Sequence, residues 1–349
     1  FEAAAGRVQR AVEVYRQALA VPTQQLDRYL GELEALVAAH PLAQLVGGAE
    51  EARLRAEAAG AGDSPREPEE AHLKRRLLAA CRVQHARSAA RAAVVGPFEE
   101  RIQCRHFDWA APAQEQLDNW HDYLSAVAAE GAAGSGAAAA RPVFERCVTV
   151  CAHYPEFWLR YAAWAEAALG LQEAKQVLAR AAGLAPCRAS PELHLYRAQC
   201  LERSGDVAGA RRSLQLILGD VAPGLLQATV ALANLERRQG DLGQAKKVYL
   251  DALSGGGPGR APDPALAVQY ATFLWKALGD LQGARAAVCA ALERAPGALQ
   301  LWQTRVWIES TQGSDGVHVE RTLEVYEEAL AGPGSKWGDP AEGLSHADR

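Results

Sequence analysis

Methionine is absent from the sequence, isoleucine is scarce, and no run of β-branched residues alternates with a period of two. The last two absences argue against sheet, since strands draw on β-branched residues in alternation. No apolar run reaches membrane-spanning length and no signal peptide opens the chain, so no membrane association is expected. The seven cysteines are odd in number and scattered, which points to free thiols in a reducing intracellular compartment. Surplus positive charge is lacking too: 37 Lys plus Arg stand against 42 Asp plus Glu, a net charge of −5, so any contact with nucleic acid must be local. Neither a Gly-rich phosphate loop, a nucleophile elbow nor a His-Glu-x-x-His helix occurs, so no catalytic site, cofactor site or metal site is expected. The missing methionine, with an opening at Phe1 inside a helical pattern, suggests a piece of a longer protein.

What is abundant is helix-forming residues. Ala, Leu, Arg, Glu and Gln dominate a chain that is 49% hydrophobic and 23% charged, a folded composition. At 349 residues it exceeds one ordinary core, and an internal period decides how the excess is used. Glycine closes a first helix at Gly131, Gly170, Gly205, Gly240, Gly279 and Gly313, at spacings of 39, 35, 35, 39 and 34 residues. A second helix follows each time, marked by Ala140-Arg141, Ala174-Lys175, Ala210-Arg211, Ala245-Lys246 and Ala284-Arg285, with a larger apolar residue four positions after the Ala. Such hairpins cannot bury their apolar faces alone and must stack. The fold class predicted is all-α, a right-handed superhelical solenoid of antiparallel helix pairs, with hairpins at about 115–153, 155–186, 191–219, 223–254, 264–296 and 298–331.

Outside those hairpins the pattern changes. Residues 1–40 read as the end of an N-terminal array, 41–68 as a flexible linker because of Gly47, Gly48, Gly60, Gly62, Pro65 and Pro68, 69–96 as a bridging basic helix, 97–331 as the C-terminal array and 332–349 as a disordered tail. Helical spacing assigns Trp120, Tyr123, Phe144, Trp158, Tyr161 and Tyr249 to the repeat core. The same spacing makes a base-stacking platform of Trp120, Tyr123, Trp158, Tyr161 and Trp164 the weaker reading. Cys147, Cys151 and His153 have no second pair at zinc-site spacing and read as packing residues. The interval 72–98 holds Lys74, Arg75, Arg76, Arg82, Arg87 and Arg91 without one acidic residue, around an apolar stripe of Leu73, Leu77 and Cys81. It reads first as a solvated helix packing through its stripe, and second as a contact for RNA or an acidic partner. Finally, the last hairpin carries more apolar side chains than one inner face can cover, among them Trp302, Val306, Trp307, Leu323 and Tyr326. Self-association there is expected.

The first helices carry a Trp-x-x-Tyr spacing, as in Trp158 and Tyr161 or Trp120 and Tyr123, and the second helix at 143–148 reads Val-Phe-Glu-Arg-Cys-Val. This resembles half-a-tetratricopeptide (HAT) repeats. Pro97-Phe98-Glu99-Glu100-Arg101-Ile102, Gln116-Leu117-Asp118-Asn119-Trp120 and Phe157-Trp158-Leu159-Arg160-Tyr161 are similar to the pre-mRNA-processing factor 39 family in its C-terminal half, as is Arg16 to Thr23. Ala-rich replacements and the insertion Ala132 to Ala140 depart from that pattern. The resemblance implies a nuclear, non-catalytic scaffold among the proteins of the U1 small nuclear ribonucleoprotein or early spliceosome, helping 5′ splice-site recognition. It also implies homodimers, or heterodimers with a paralogue, through the C-terminal repeats. The alternative is an RNA-binding subunit of another RNA-processing complex, such as 3′-end cleavage, that uses the basic helix 72–98.

Overall fold

The computed structural model describes residues 7–60, 68–104, 106–108, 110–131, 137–255, 263–311 and 316–331. Among these there is no strand, and no helix is long and apolar enough to cross a membrane. The expected tail at 332–349 and the repeat glycine Gly313 lie outside the described residues. The chain divides into two compact units, Phe1–Val150 and Cys151–Arg349.

Unit 1 contains α1 (Val8–Ala20), α2 (Leu26–Ala39), α3 (Leu42–Leu45), α4 (Gly48–Gly60), α5 (Glu69–Arg101), α6 (Gln114–Gly131) and α7 (Ala137–Val150). Its organiser is α5, 33 residues long, against which α1, α2, α3, α4 and α6 pack. One core joins Val12, Leu19, Leu33, Val37 and Leu45 to the α5 stripe of Leu73, Leu77 and Cys81. Two expectations need correction here. Residues 42–60, expected within a flexible linker, form α3 and α4, because Leu42, Leu45, Val46 and Leu54 are drawn into that core and the Ala and Glu between them favour helix; 61–67 lie outside the described residues. The bridging helix also does not stop at 96. It runs through Pro97 to Arg101, with the turn after the proline held by side-chain bonds from α6: Asn119 Nδ2 donates to the Phe98 carbonyl at 3.1 Å and Gln116 Nε2 to that of Arg101 at 2.8 Å.

Unit 2 contains α8 (Pro155–Ala168), α9 (Leu171–Ala182), α10 (Ala185–Arg188), α11 (Pro191–Arg203), α12 (Val207–Leu216) with a π-helical turn at Ile217–Val221, α13 (Leu226–Arg238), α14 (Leu242–Ser254), α15 (Pro264–Leu278), α16 (Leu281–Leu292), α17 (Leu299–Ser310) and α18 (Gly316–Ala331). These pair as successive hairpins, α8 with α9, α11 with α12, α13 with α14, α15 with α16 and α17 with α18, and the first helices α11, α13, α15 and α17 also pack on the preceding hairpin. The sequence period has a chemical basis. Gly205, Gly240 and Gly279 adopt positive φ (86°, 84° and 67°), which ends one helix in a conformation glycine enters without steric cost. The next residue starts the following helix: Asp206, Asp241 and Asp280 each accept the backbone N–H three positions on, at 2.8, 2.9 and 2.7 Å. Gly170 shares the positive φ, whereas Gly131 is the last residue of α6.

Candidate functional site

The surfaces are built by the charged and apolar residues left over once the hairpins have closed. In α5 most of the basic cluster is engaged within unit 1. Lys74 Nζ lies 3.3 Å from Glu70, Arg75 donates to His72 Nδ1 at 3.1 Å, Arg82 pairs with Glu34 of α2 at 2.7 Å, and Arg91 donates to the Ala139 carbonyl of α7 at 2.6 Å. Arg76 is half-buried and Arg87 exposed. Part of the acidic complement that 72–98 lacks is thus supplied from outside the interval, a pairing invisible in one dimension.

The structure buries Trp120, Tyr123 and Phe144 in unit 1, and Trp158, Tyr161 and Tyr249 in unit 2, at 1–4% exposure. With Trp164 also in the core, these rings leave no face open for a base. Near the end of α5 the sequence Phe98-Glu99 becomes a junction. Phe98 stacks on Tyr123 with centroids 5.3 Å apart, and Glu99 accepts from the Tyr123 hydroxyl at 2.6 Å and from both Arg146 Nη atoms at 2.7 and 2.9 Å. Burial, reinforced by that carboxylate, pushes the Tyr123 phenol up.

The last hairpin separates the residues expected to form a dimer contact. Trp302 is corrected to the core: it is 2% exposed and its Nε1 donates to the Pro296 carbonyl at 2.7 Å, repeating the bond from Trp158 to Ala152 at 3.0 Å. Val306 packs half-buried against the same core. Trp307, Leu323 and Tyr326 are exposed at 44%, 56% and 51%, and Val319, missing from the sequence reading, joins them at 50%. Val319, Leu323 and Tyr326 follow i, i+4, i+7 and so form one outward stripe on α18, while Val325 and Ala329 face inward.

Sequence reasoning also missed a set of ion pairs between hairpins. Arg211 of α12 makes a two-pronged pair with Glu236 of α13 at 2.6 and 2.7 Å, and Arg285 of α16 does the same with Glu309 of α17 at 2.7 Å for both contacts. Glu202 and Arg238 link α11 to α13 at 2.6 Å, while Arg203 reaches back to Glu166. Hydrogen bonds from Arg203 and Tyr196 hold the Glu166 carboxyl down at about 2. The signal was present: the Arg of the Ala-Arg pairs at 211 and 285, and a Glu four residues before Gly240 and Gly313.

Among the described residues no three His, Cys, Asp or Glu converge as metal ligands. All seven cysteines are free, Cys147 and Cys151 are fully buried, and burial pushes Cys187 up to about 11, away from thiolate.

Comparison with known proteins places this geometry. Residues 94–238 match the family model PRP39 C-terminal HAT repeat. Pre-mRNA-processing factor 39-2 of Arabidopsis thaliana is 34% identical over 157 residues, covering 45% of this chain and 15% of that protein. Pre-mRNA-processing factor 39 of Schizosaccharomyces pombe is 30% identical over 192 residues, 54% of this chain and 31% of the relative, and that of Homo sapiens 28% identical over 235 residues, 67% and 34%. The matched region therefore spans 15% to 34% of these relatives' own length. Over residues 94–238 the chain thus matches the PRP39 C-terminal HAT repeat, and it is similar to the pre-mRNA-processing factor 39 proteins of these organisms.

Proposed function

We propose that this protein is a non-catalytic scaffold of the nuclear pre-mRNA splicing machinery, joined to the U1 small nuclear ribonucleoprotein during 5′ splice-site recognition and self-associating through its last hairpin. The observation that carries the splicing assignment is the PRP39 C-terminal HAT repeat at 94–238, together with relatives named for pre-mRNA processing. Self-association rests on the outward stripe of Val319, Leu323 and Tyr326, with Trp307 exposed on α17. Apolar side chains grouped on one helix face lose water contact most economically against a partner. A second copy, presenting the same stripe about a two-fold axis, closes the assembly, and a paralogue is the other partner of this kind. Protein contact is favoured over RNA because Lys74, Arg75, Arg82 and Arg91 are already engaged inside unit 1.

The test is affinity purification of the tagged full-length protein from nuclear extract, with mass spectrometry of what accompanies it. Co-purification of U1 particle proteins is the expected result, and recovery of 3′-end cleavage subunits instead overturns the assignment. RNA affinity measured against salt separates the other reading, since direct phosphate contacts give a steep slope that charge reversal of Arg76 and Arg87 then flattens. Light scattering of the chain across concentration reads self-association, and Leu323→Asp with Tyr326→Asp is expected to leave a single-chain mass.

A further inference from the structure

We infer that unit 2 carries a receptor hollow for an acidic peptide segment of a partner protein, lined by the first helices of two adjacent hairpins. The hollow has a volume of about 260 Å³ and is lined on α13 by Asn234 and Arg237 and on α15 by Gln269, Thr272 and Lys276, with Tyr249 of α14 beneath. No carboxylate lines it. Elsewhere in this unit the arginines at 203, 211, 238, 285 and 305 each pair with a glutamate. Arg237 and Lys276 have no carboxylate partner among the described residues. The Arg237 Nε donates to the Asn234 amide oxygen at 3.3 Å, and Lys276 Nζ rests over the Trp307 ring at 4.3 Å.

A second observation is independent of charge. Tyr249 is 3% exposed and packs against Tyr270 and Phe273, yet its hydroxyl has no hydrogen-bond partner among the described residues. A phenol that lines the hollow without a protein partner is free to donate its O–H to a carboxylate that enters. The groups around it fit a carboxylate. Two cations supply charge-assisted bonds. Arg237 holds the Asn234 oxygen and so leaves that side chain's NH₂ to donate, while the Thr272 hydroxyl, donating to the Val268 carbonyl at 2.8 Å, keeps its lone pairs for a peptide N–H.

RNA suits the hollow less well. Its rings, Tyr249 and Phe273, are buried at 3% and 7% exposure and tilted against each other, and the nearby exposed ring, Trp307, already has Lys276 over it. A nucleotide would find phosphate contacts but no stacking face. An Asp or Glu side chain on an extended peptide needs only the groups present. The inference concerns the chemistry of one occupant and stands whichever complex the protein joins.

The test uses the intact chain and three fluorescein-labelled probes: a short peptide of alternating Glu and Leu, the same peptide with Gln for Glu, and an oligouridylate of equal length. Fluorescence anisotropy is expected to show binding of the Glu peptide at least about tenfold tighter than its Gln twin. Arg237→Gln with Lys276→Gln is expected to abolish that preference, and Tyr249→Phe, which keeps the ring and removes only the hydroxyl, to weaken the Glu peptide while leaving circular dichroism unchanged. Equal affinity for the two peptides overturns the proposal. So does a Glu-peptide affinity that the double variant leaves intact, or an oligouridylate bound more tightly than the peptide and lost in the same variant.

Discussion

The ion pairs within single helices of unit 1 and the buried pairs between hairpins of unit 2 carry different weight. In unit 1 the pairs Arg10 with Glu13, Arg28 with Glu32 and Arg53 with Glu57 are one helical turn apart, and their side chains are 38% to 76% exposed. Each links residues of the same helix. In unit 2 the pairs Arg211 with Glu236 and Arg285 with Glu309 connect different hairpins, and the carboxylates are only 5% and 8% exposed. The former decorate helices that the core around α5 already holds, and exposed pairs of this kind gain little over the water they replace. The latter sit where a hairpin meets its neighbour, so removing one partner strands a buried charge. Equal distances therefore do not mean equal weight; the burial of the acid decides.

The largest effect expected is from Trp158→Ala, which empties a 4%-exposed aromatic site in unit 2 and removes the bond to Ala152. A loss of about 3–5 kcal/mol in denaturant unfolding is expected, and an unmoved midpoint would show the indole to be dispensable surface. Next comes Arg285→Ala, expected to cost about 3 kcal/mol because Glu309 is left buried and unpaired. Arg285→Leu combined with Glu309→Leu should recover most of that loss, whereas Arg53→Ala in unit 1 should leave the unfolding midpoint almost unmoved. Equal losses from Arg285→Ala and Arg53→Ala would erase the contrast between the units.

Glycine provides a third contrast. Gly279→Ala forces an L side chain into φ of 67° and should destabilise by about 1–2 kcal/mol, even though a Cβ there meets nothing within 4 Å. Gly31→Ala lies inside α2 with equally open space and ordinary helical φ, and should stabilise by roughly 0.5–1 kcal/mol. Thermal melts of the two variants should therefore shift in opposite directions.

The smallest effect concerns pH. Arg203 and Tyr196 lower the folded Glu166 pKa to about 2 from 4.5, so this carboxylate's contribution is complete above its unfolded pKa and fades as pH falls from about 4.5 toward 2. Arg203 is 50% exposed, which keeps the contribution under about 1 kcal/mol. Arg203→Gln should lower stability at neutral pH and converge with the parent chain in acid; a gap that widens on acidification would contradict the pairing.

Much of unit 2 could be read in one dimension because its determinants are local. A Gly-Asp step ends one helix and caps the next within five residues or so, and it recurs at 205, 240 and 279. The α4 helix was illegible for the opposite reason: its glycine-flanked Ala and Glu residues gain a fixed place through Leu54, Ala58, the Arg16 to Glu50 pair at 2.7 Å and the Arg55 to Glu69 pair at 3.1 Å, all tertiary. Trp302 and Trp307 stand five residues apart on α17, a spacing that sets them on different faces but leaves open which one is core until the helix is oriented. The hollow under Arg237 and Lys276 left no linear motif, since its side chains come from three helices and its character depends on which arginines elsewhere have found an acid.

The buried pairs between hairpins also make the modules of unit 2 non-interchangeable. Glu236 stands four residues before Gly240, and the residue in the same place before Gly279 is Trp275. Excision of α13 and α14 in one block would preserve the glycine rhythm and every cap, yet it would bring Arg211 opposite an indole instead of a carboxylate. Neighbouring hairpins are matched like lock wards, by chemistry at a single point, so the order of the array is inherited as a whole even though each hairpin is built to the same plan.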